Sequence, residues 1–230
     1  MNTLTASQRV RNSRKRKNIL MEAEFKTIEY LCGKMPKWVT SDLLTLTGVA
    51  GSLVILLGLY LSIENKYALI VSVVGFAIQW FGDSLDGRLA YYRNIPRKWY
   101  GWSLDINADW ISICIIGFGF YTYFPAYKFL AVVFVMAYGG SLILSLLQYK
   151  INNKYLIDKA SLGPTELRII ICLALCIEIF VPYALVIFSL VASVIMLILN
   201  VKESMHLMSE GDIRDNFEKR TLAKHASQSL

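Results

Sequence analysis

The stretch Leu43–Ile63 runs for 21 residues without a charged side chain. A hydrocarbon core of roughly 30 Å is crossed by about 20 helical residues, so such a run either spans a bilayer or lies at the centre of a large helical protein. Further predominantly apolar runs follow at Tyr67–Phe81, Leu104–Phe124, Phe129–Leu147, Leu167–Val181 and Ala184–Val201. Helices of a soluble protein carry charged outer faces, whereas these runs are apolar all round, which selects the membrane. Charged residues make up 18% of the chain, below the quarter or so of soluble domains, and they gather at the ends and in short connectors. The expected fold is an all-α membrane protein with six transmembrane helices, the fifth short and divided from the sixth by Pro182.

The flanks predict an orientation. Six spans put both termini and the even connectors on one side, and every lysine and arginine except Lys66 and Lys128 falls there. By the positive-inside rule that side is cytoplasmic. The net charge of +7 follows from this bias and calls for no nucleic-acid partner. The basic segment Arg9–Lys17 is followed by no apolar core, so it reads as a cytoplasmic arm rather than a cleavable signal. Over Ile19–Met35, Leu20, Phe25, Ile28, Tyr30 and Leu31 alternate at helical spacing with Glu22, Glu24, Lys26 and Glu29, the pattern of an amphipathic helix in the membrane interface. Residues 203–230 are polar and read as a cytoplasmic tail, in part helical. Cys32, Cys114, Cys172 and Cys176 have no framework spacing and read as packing residues.

Four aspartates interrupt the apolar pattern. Asp83 and Asp86 stand three apart, Asp105 and Asp109 four apart, so each pair occupies one face of its helix. The first pair closes the second span and the other opens the third, which brings all four carboxylates to the cytoplasmic end. Unneutralised carboxylates in so apolar a setting are costly, so protons or a cation must offset them. Oxygen ligands alone favour a hard ion, Mg²⁺, Mn²⁺ or Ca²⁺, over zinc. Both histidines, His206 and His225, lie in the tail, which argues against a histidine-ligated metal or a Ser-His-Asp triad in the core. Gly87 and Ala90 either pack helices closely or leave a groove beside the carboxylates for a ligand; the neighbouring aspartates favour the groove.

The spacing Asp83-x-x-Asp86-Gly87-x-x-Ala90, then Gly101-x-x-x-Asp105-x-x-x-Asp109, resembles the signature of the CDP-alcohol phosphotransferase (phosphatidyltransferase) family at seven fixed positions. The six-span layout and the helix before the first span fit it too, over roughly residues 20–202. The family arginine after the alanine is Tyr91 here, and the spacer to Gly101 is one residue longer. Arg93 is the nearest stand-in for that arginine. Asp42 and Thr45 fall where the family contacts the nucleotide, although a threonine hydroxyl can equally bond its own helix backbone.

The resemblance implies a catalytic domain over 39–202 behind a 1–38 arm and interfacial helix. It implies a CDP-linked donor, an acceptor hydroxyl and release of CMP. Asp83, Asp86, Asp105 and Asp109 would ligate Mg²⁺ or Mn²⁺, two ions by analogy, with Asp109 also general base. Asp42, Thr45, Asp83, Gly87, Ala90, Arg93 and Gly101 would bind CDP. Lys150, Glu166 and Arg168 are candidates for the acceptor; Gln148, Lys154 and Lys159 lie nearby. Family members that accept phosphorylated alcohols carry paired arginines near Arg168, where this chain has one. Those with aminoalcohol donors carry histidine where this chain has Ile106. Neither pattern is matched, so these two positions support neither subclass; CDP-diacylglycerol is the expected donor, with CDP-choline or CDP-ethanolamine and a diacylglycerol-like acceptor as the alternative. A cation transporter using intramembrane aspartates is the reading from another class, and it leaves the glycine and alanine spacing unexplained. A homodimer is expected from the family, and Ala137 and Ser141 either line its interface or pack within one chain.

Overall fold

The computed structural model describes residues 5, 6, 8, 21–152 and 164–228. Among them are seven α-helices and no strand: α1 (Met21–Lys34), α2 (Ser41–Leu61), α3 (Leu69–Tyr92), α4 (Lys98–Tyr123), α5 (Lys128–Asn152), α6 (Pro164–Phe180) and α7 (Ala184–Gln228). Five helical stretches, one each at α2, α3, α4, α5 and α7, are long and apolar enough to cross a membrane. The chain is an all-α integral membrane protein. Large apolar side chains such as Leu53, Leu57, Val74, Phe118, Ile187 and Ile198 are exposed around the bundle, a surface that only lipid covers at low cost.

Helix boundaries follow local chemistry. Thr40 caps α2, its side-chain oxygen accepting from the Leu43 N–H. After α3, Asn94 takes φ 60, a left-handed conformation that asparagine tolerates, and Pro96 bars helical continuation. Pro164 opens α6, where its missing N–H leaves no hydrogen bond unmade. Glu178, 5% exposed, accepts from the Tyr123 hydroxyl at 3.0 Å and from the Leu185 N–H at 2.7 Å, so a buried carboxylate caps the start of α7.

The bundle is built around a close α2–α3 pair. A Cβ on Gly51 would lie 2.5 Å from the Gln79 backbone nitrogen, and one on Gly82 would meet the backbone of Gly48. Only glycine lets the two backbones approach so nearly. Ser72 Oγ donates to the Ile55 carbonyl at 3.0 Å and Gln79 Nε2 to Ser52 Oγ at 3.3 Å, so the polar groups at this seam are mutually satisfied. Ile55, Leu59, Leu69, Phe76, Ile116, Phe120, Leu175 and Leu185 form the buried core at the end away from the aspartates. α4 packs on α2, α5 on α4 and α7, and α6 on α3 and α7.

The fifth expected span, α6, is short as expected, 17 residues or about 25 Å of helix, and is not among the five helices long enough to cross. Three other expectations change. The third span begins at Lys98 rather than Leu104, because an α-helix continues past the point where its hydropathy drops. α7 runs unbroken for 45 residues through the expected span–tail boundary at 202 and 203. No proline interrupts it, Leu207 is 5% exposed, and Arg214 donates to the Lys150 and Ile151 carbonyls at the end of α5. In α1, Ile28 is fully buried and Phe25 and Leu31 pack inward as expected, but Tyr30 is exposed and Glu24 is buried. Glu24 accepts from Arg88 at 3.0 Å and from the Thr165 hydroxyl at 3.3 Å, which offsets the burial of its charge. Ala137 and Ser141 lie against α7 of the same chain: Asn200 donates to the Ala137 carbonyl at 2.6 Å and accepts from Ser141 Oγ at 2.6 Å. Residues Arg9–Lys17, Ile19, Leu20, Lys154, Lys159 and Gly163 lie outside the described residues.

Candidate active site

Asp83 and Asp86 lie within α3, and Asp105 and Asp109 within the first four turns of α4. The two helices are joined by the short connector 93–97, so the pairs face each other at one end of the bundle. One carboxylate oxygen from each of Asp83, Asp105 and Asp109 falls within 4.8 Å of the others. Asp86 stands beside this trio rather than in it; all four border one small cavity together with Thr45, Gly48, Gln79 and Ser112.

Asp86 is 5% exposed and closely held. The Thr45 hydroxyl donates to its Oδ2 at 2.8 Å, with the Ser41 carbonyl as an alternative acceptor at 3.1 Å. The Gly87 N–H donates to Oδ1, and Ser41 Oγ donates to the Asp86 carbonyl at 2.7 Å. The first turn of α2 is thereby fastened to the signature helix. Arg168 reaches in from α6 and donates to Asp83 Oδ2 at 2.6 Å, both side chains being largely buried.

A cavity of about 670 Å³ opens beside the aspartates, a size typical of small-molecule sites. Its lining includes Asp42, Thr45, Asp86, Gly87, Ala90, Arg93, Gly101 and Asp105, so the residues expected around CDP are largely brought together. A Cβ on Gly87 or on Gly101 would meet nothing within 4 Å. These two glycines therefore border open space, unlike the packing glycines of α2 and α3. Of the acceptor candidates, only Arg168 is brought to an aspartate. Glu166 is 7% exposed, Lys150 is exposed, and neither lines either cavity.

Several lining residues carried no motif. Arg88, Arg97, Trp102 and Tyr149 all border the large cavity. Arg88 was discoverable as the one basic residue of α3, two positions after Asp86. Trp102 and Tyr149 meet with ring centroids 5.5 Å apart, a contact between α4 and α5 that spacing along one chain does not encode. Arg93, the expected stand-in for the missing arginine, donates to the carbonyls of Val39 at 2.5 Å, Pro36 at 2.7 Å and Met35 at 3.3 Å. It fastens the α1–α2 connector.

The family model for CDP-alcohol phosphatidyltransferase matches residues 38–202, most of the chain and all of the site. The chain belongs to the CDP-alcohol phosphatidyltransferase family. It is accordingly a transferase of phospholipid synthesis that moves a head-group phosphate between a CDP-alcohol and an acceptor alcohol. No curated protein matches closely enough to narrow this further. Members of the family typically depend on a divalent metal, and three converging carboxylates without histidine or cysteine form a donor set that fits a hard cation.

Proposed function

We propose that the donor is CDP-diacylglycerol and that the acceptor is a small alcohol arriving from the cytoplasm. The observation that carries this reading is the junction of the aspartate cluster with the large cavity, whose lining combines basic and aromatic side chains at the end that the positive-inside rule assigns to the cytoplasm. Asp83, Asp105 and Asp109, with Asp86 beside them, would hold Mg²⁺ or Mn²⁺. When bound, such ions offset charge on the phosphoryl oxygens and lower the pKa of a coordinated hydroxyl.

The chain's own residues set the geometry. Thr45 and the Gly87 N–H orient Asp86, while Arg168 orients Asp83. Gly87 and Gly101 keep the wall open for the nucleotide. The acceptor oxygen attacks the phosphorus that bears the donor's alcohol; the bond from that phosphorus to the CMP oxygen breaks, and the acceptor proton passes to an Asp109 carboxylate oxygen. CMP leaves and a phosphodiester remains. Arg168, beside Asp83, is suitably placed for an anionic acceptor. Both termini are taken as cytoplasmic, α6 as a sixth, short span, and the working form as a homodimer.

The test is CMP release by purified protein in lipid with Mg²⁺ or Mn²⁺, CDP-diacylglycerol and a panel of alcohols. Release above an Asp86→Asn control, abolished by chelation and restored by added metal, supports the reading. Release only with CDP-choline or CDP-ethanolamine and diacylglycerol would transfer the lipid to the acceptor side. No release with any pair would overturn both assignments.

A further inference from the structure

We propose that Arg97 is the cation that engages the diphosphate of the CDP-linked donor, exchanging Asp42 for it; the inference rests on the donor class proposed above. Five basic residues border the large cavity: Lys37, Arg88, Arg93, Arg97 and Lys98. Two of the three arginines are committed elsewhere. Arg88, 11% exposed, is held by Glu24 and by the Ser84 carbonyl at 3.1 Å. Arg93 spends its donors on three backbone carbonyls, and withdrawing it would loosen the α1–α2 connector. Arg97 is 52% exposed, lies 4.2 Å from the Tyr100 ring, and pairs with Asp42 in the first turn of α2.

That pair joins the α3–α4 connector to α2, and both of its members line the cavity. An ion pair so exposed contributes little stability, so another anion can displace it at small cost. A guanidinium presents the same planar donors to phosphate as to carboxylate, which a lysine ammonium does not. Asp42, once released, keeps the favourable N-terminus of α2 and becomes an acceptor for donor groups of the nucleoside. The Arg97 carbonyl also takes the Gly101 N–H at 2.7 Å, so the residue stands at the head of the helix that carries Asp105.

A double-mutant cycle tests this: donor KM and kcat for CMP release from CDP-diacylglycerol in wild type, Arg97→Gln, Asp42→Asn and the double variant, with thermal melting of each. Phosphate binding by Arg97 predicts that Arg97→Gln raises donor KM by about tenfold in both backgrounds, with kcat much less changed. Lys34→Gln, the same charge change outside the cavity, should leave donor KM unaltered. If Arg97 only holds Asp42, the effect vanishes in the Asp42→Asn background, and the proposal is overturned. If Arg97→Gln alone melts early, the comparison of Asp42→Asn with the double variant carries the same decision, since neither leaves the arginine's carboxylate partner charged. Failure of the wild type to release CMP from any donor would instead count against the donor class.

Discussion

Thr45 and Gly87 hold the two oxygens of Asp86 from different elements, one at the start of α2 and the other on the signature helix itself. Thr45→Val keeps the shape and removes the donor, leaving a buried carboxylate short of one hydrogen bond. Metal affinity, read as the Mg²⁺ concentration for half-maximal CMP release, is expected to weaken by about 10–100-fold, with Thr45→Ser close to wild type. A Thr45→Val enzyme with unchanged metal dependence would mean that the hydroxyl serves its own helix backbone alone. Cys32 offers a separate residue-scale check, outside the spans. It is 2% exposed, and burial pushes its thiol from 9.0 up to about 11. At pH 8 the folded protein then holds roughly a hundredfold less Cys32 thiolate than the unfolded chain. The folded state binds the proton more tightly, so this contribution to stability is intact below pH 9 and is lost as pH rises through 11. With the other three cysteines replaced by serine, alkylation of Cys32 should be slow at pH 8 in the fold and fast in denaturant; equal rates would show that the thiol is open.

Two kinds of glycine separate at the scale of elements. Gly51 meets backbone on the facing helix and Gly87 meets open space. Gly51→Val is expected to push α2 from α3 and to cost about 1–3 kcal/mol or more, seen as lost folded yield in detergent. Gly87→Val should fold with an unchanged melting temperature and raise donor KM, because the added atoms enter the cavity. A Gly87→Val protein that melts early would return that glycine to a packing role. The link between α1 and the bundle depends on Glu24 and Arg88 together. Arg88→Met leaves Glu24 buried with a lost partner and should destabilise by about 3–5 kcal/mol, whereas Arg88→Met with Glu24→Gln should recover much of it. Equal losses in both variants would mean that Ile28 and Cys32, not the ion pair, hold α1 in place.

For the whole molecule the positive-inside pattern makes a labelling prediction. In a cysteine-free background, Lys66→Cys and Lys128→Cys should react with an impermeant maleimide from outside intact cells. Lys34→Cys and Lys219→Cys should react only after permeabilisation; the reverse pattern would place the catalytic end outside. The aspartate spacing, the six helices that follow α1 and the open side of Gly87 were legible because each rests on composition or spacing within a short stretch of chain. The unbroken α7 was not, since its polar half owes its place to Leu207 and to Arg214 on the end of α5.

Sequence alone determined the membrane class, because long charge-free helices have no other inexpensive solvent. It also determined the pairing of the four aspartates, because 3.6-residue periodicity places Asp83 with Asp86 and Asp105 with Asp109 whatever surrounds them, and the family, because their spacing with Gly87, Ala90 and Gly101 matches its signature. Tertiary structure decided which three carboxylates converge, that Asp86 is held by α2, and how the arginines divide between cavity and scaffold. Arg88, Arg93, Arg97 and Arg168 look alike in sequence. Their partners, Glu24, three connector carbonyls, Asp42 and Asp83, come from residues 54 or more positions away or from other helices, and only packing brings such groups within hydrogen-bonding reach.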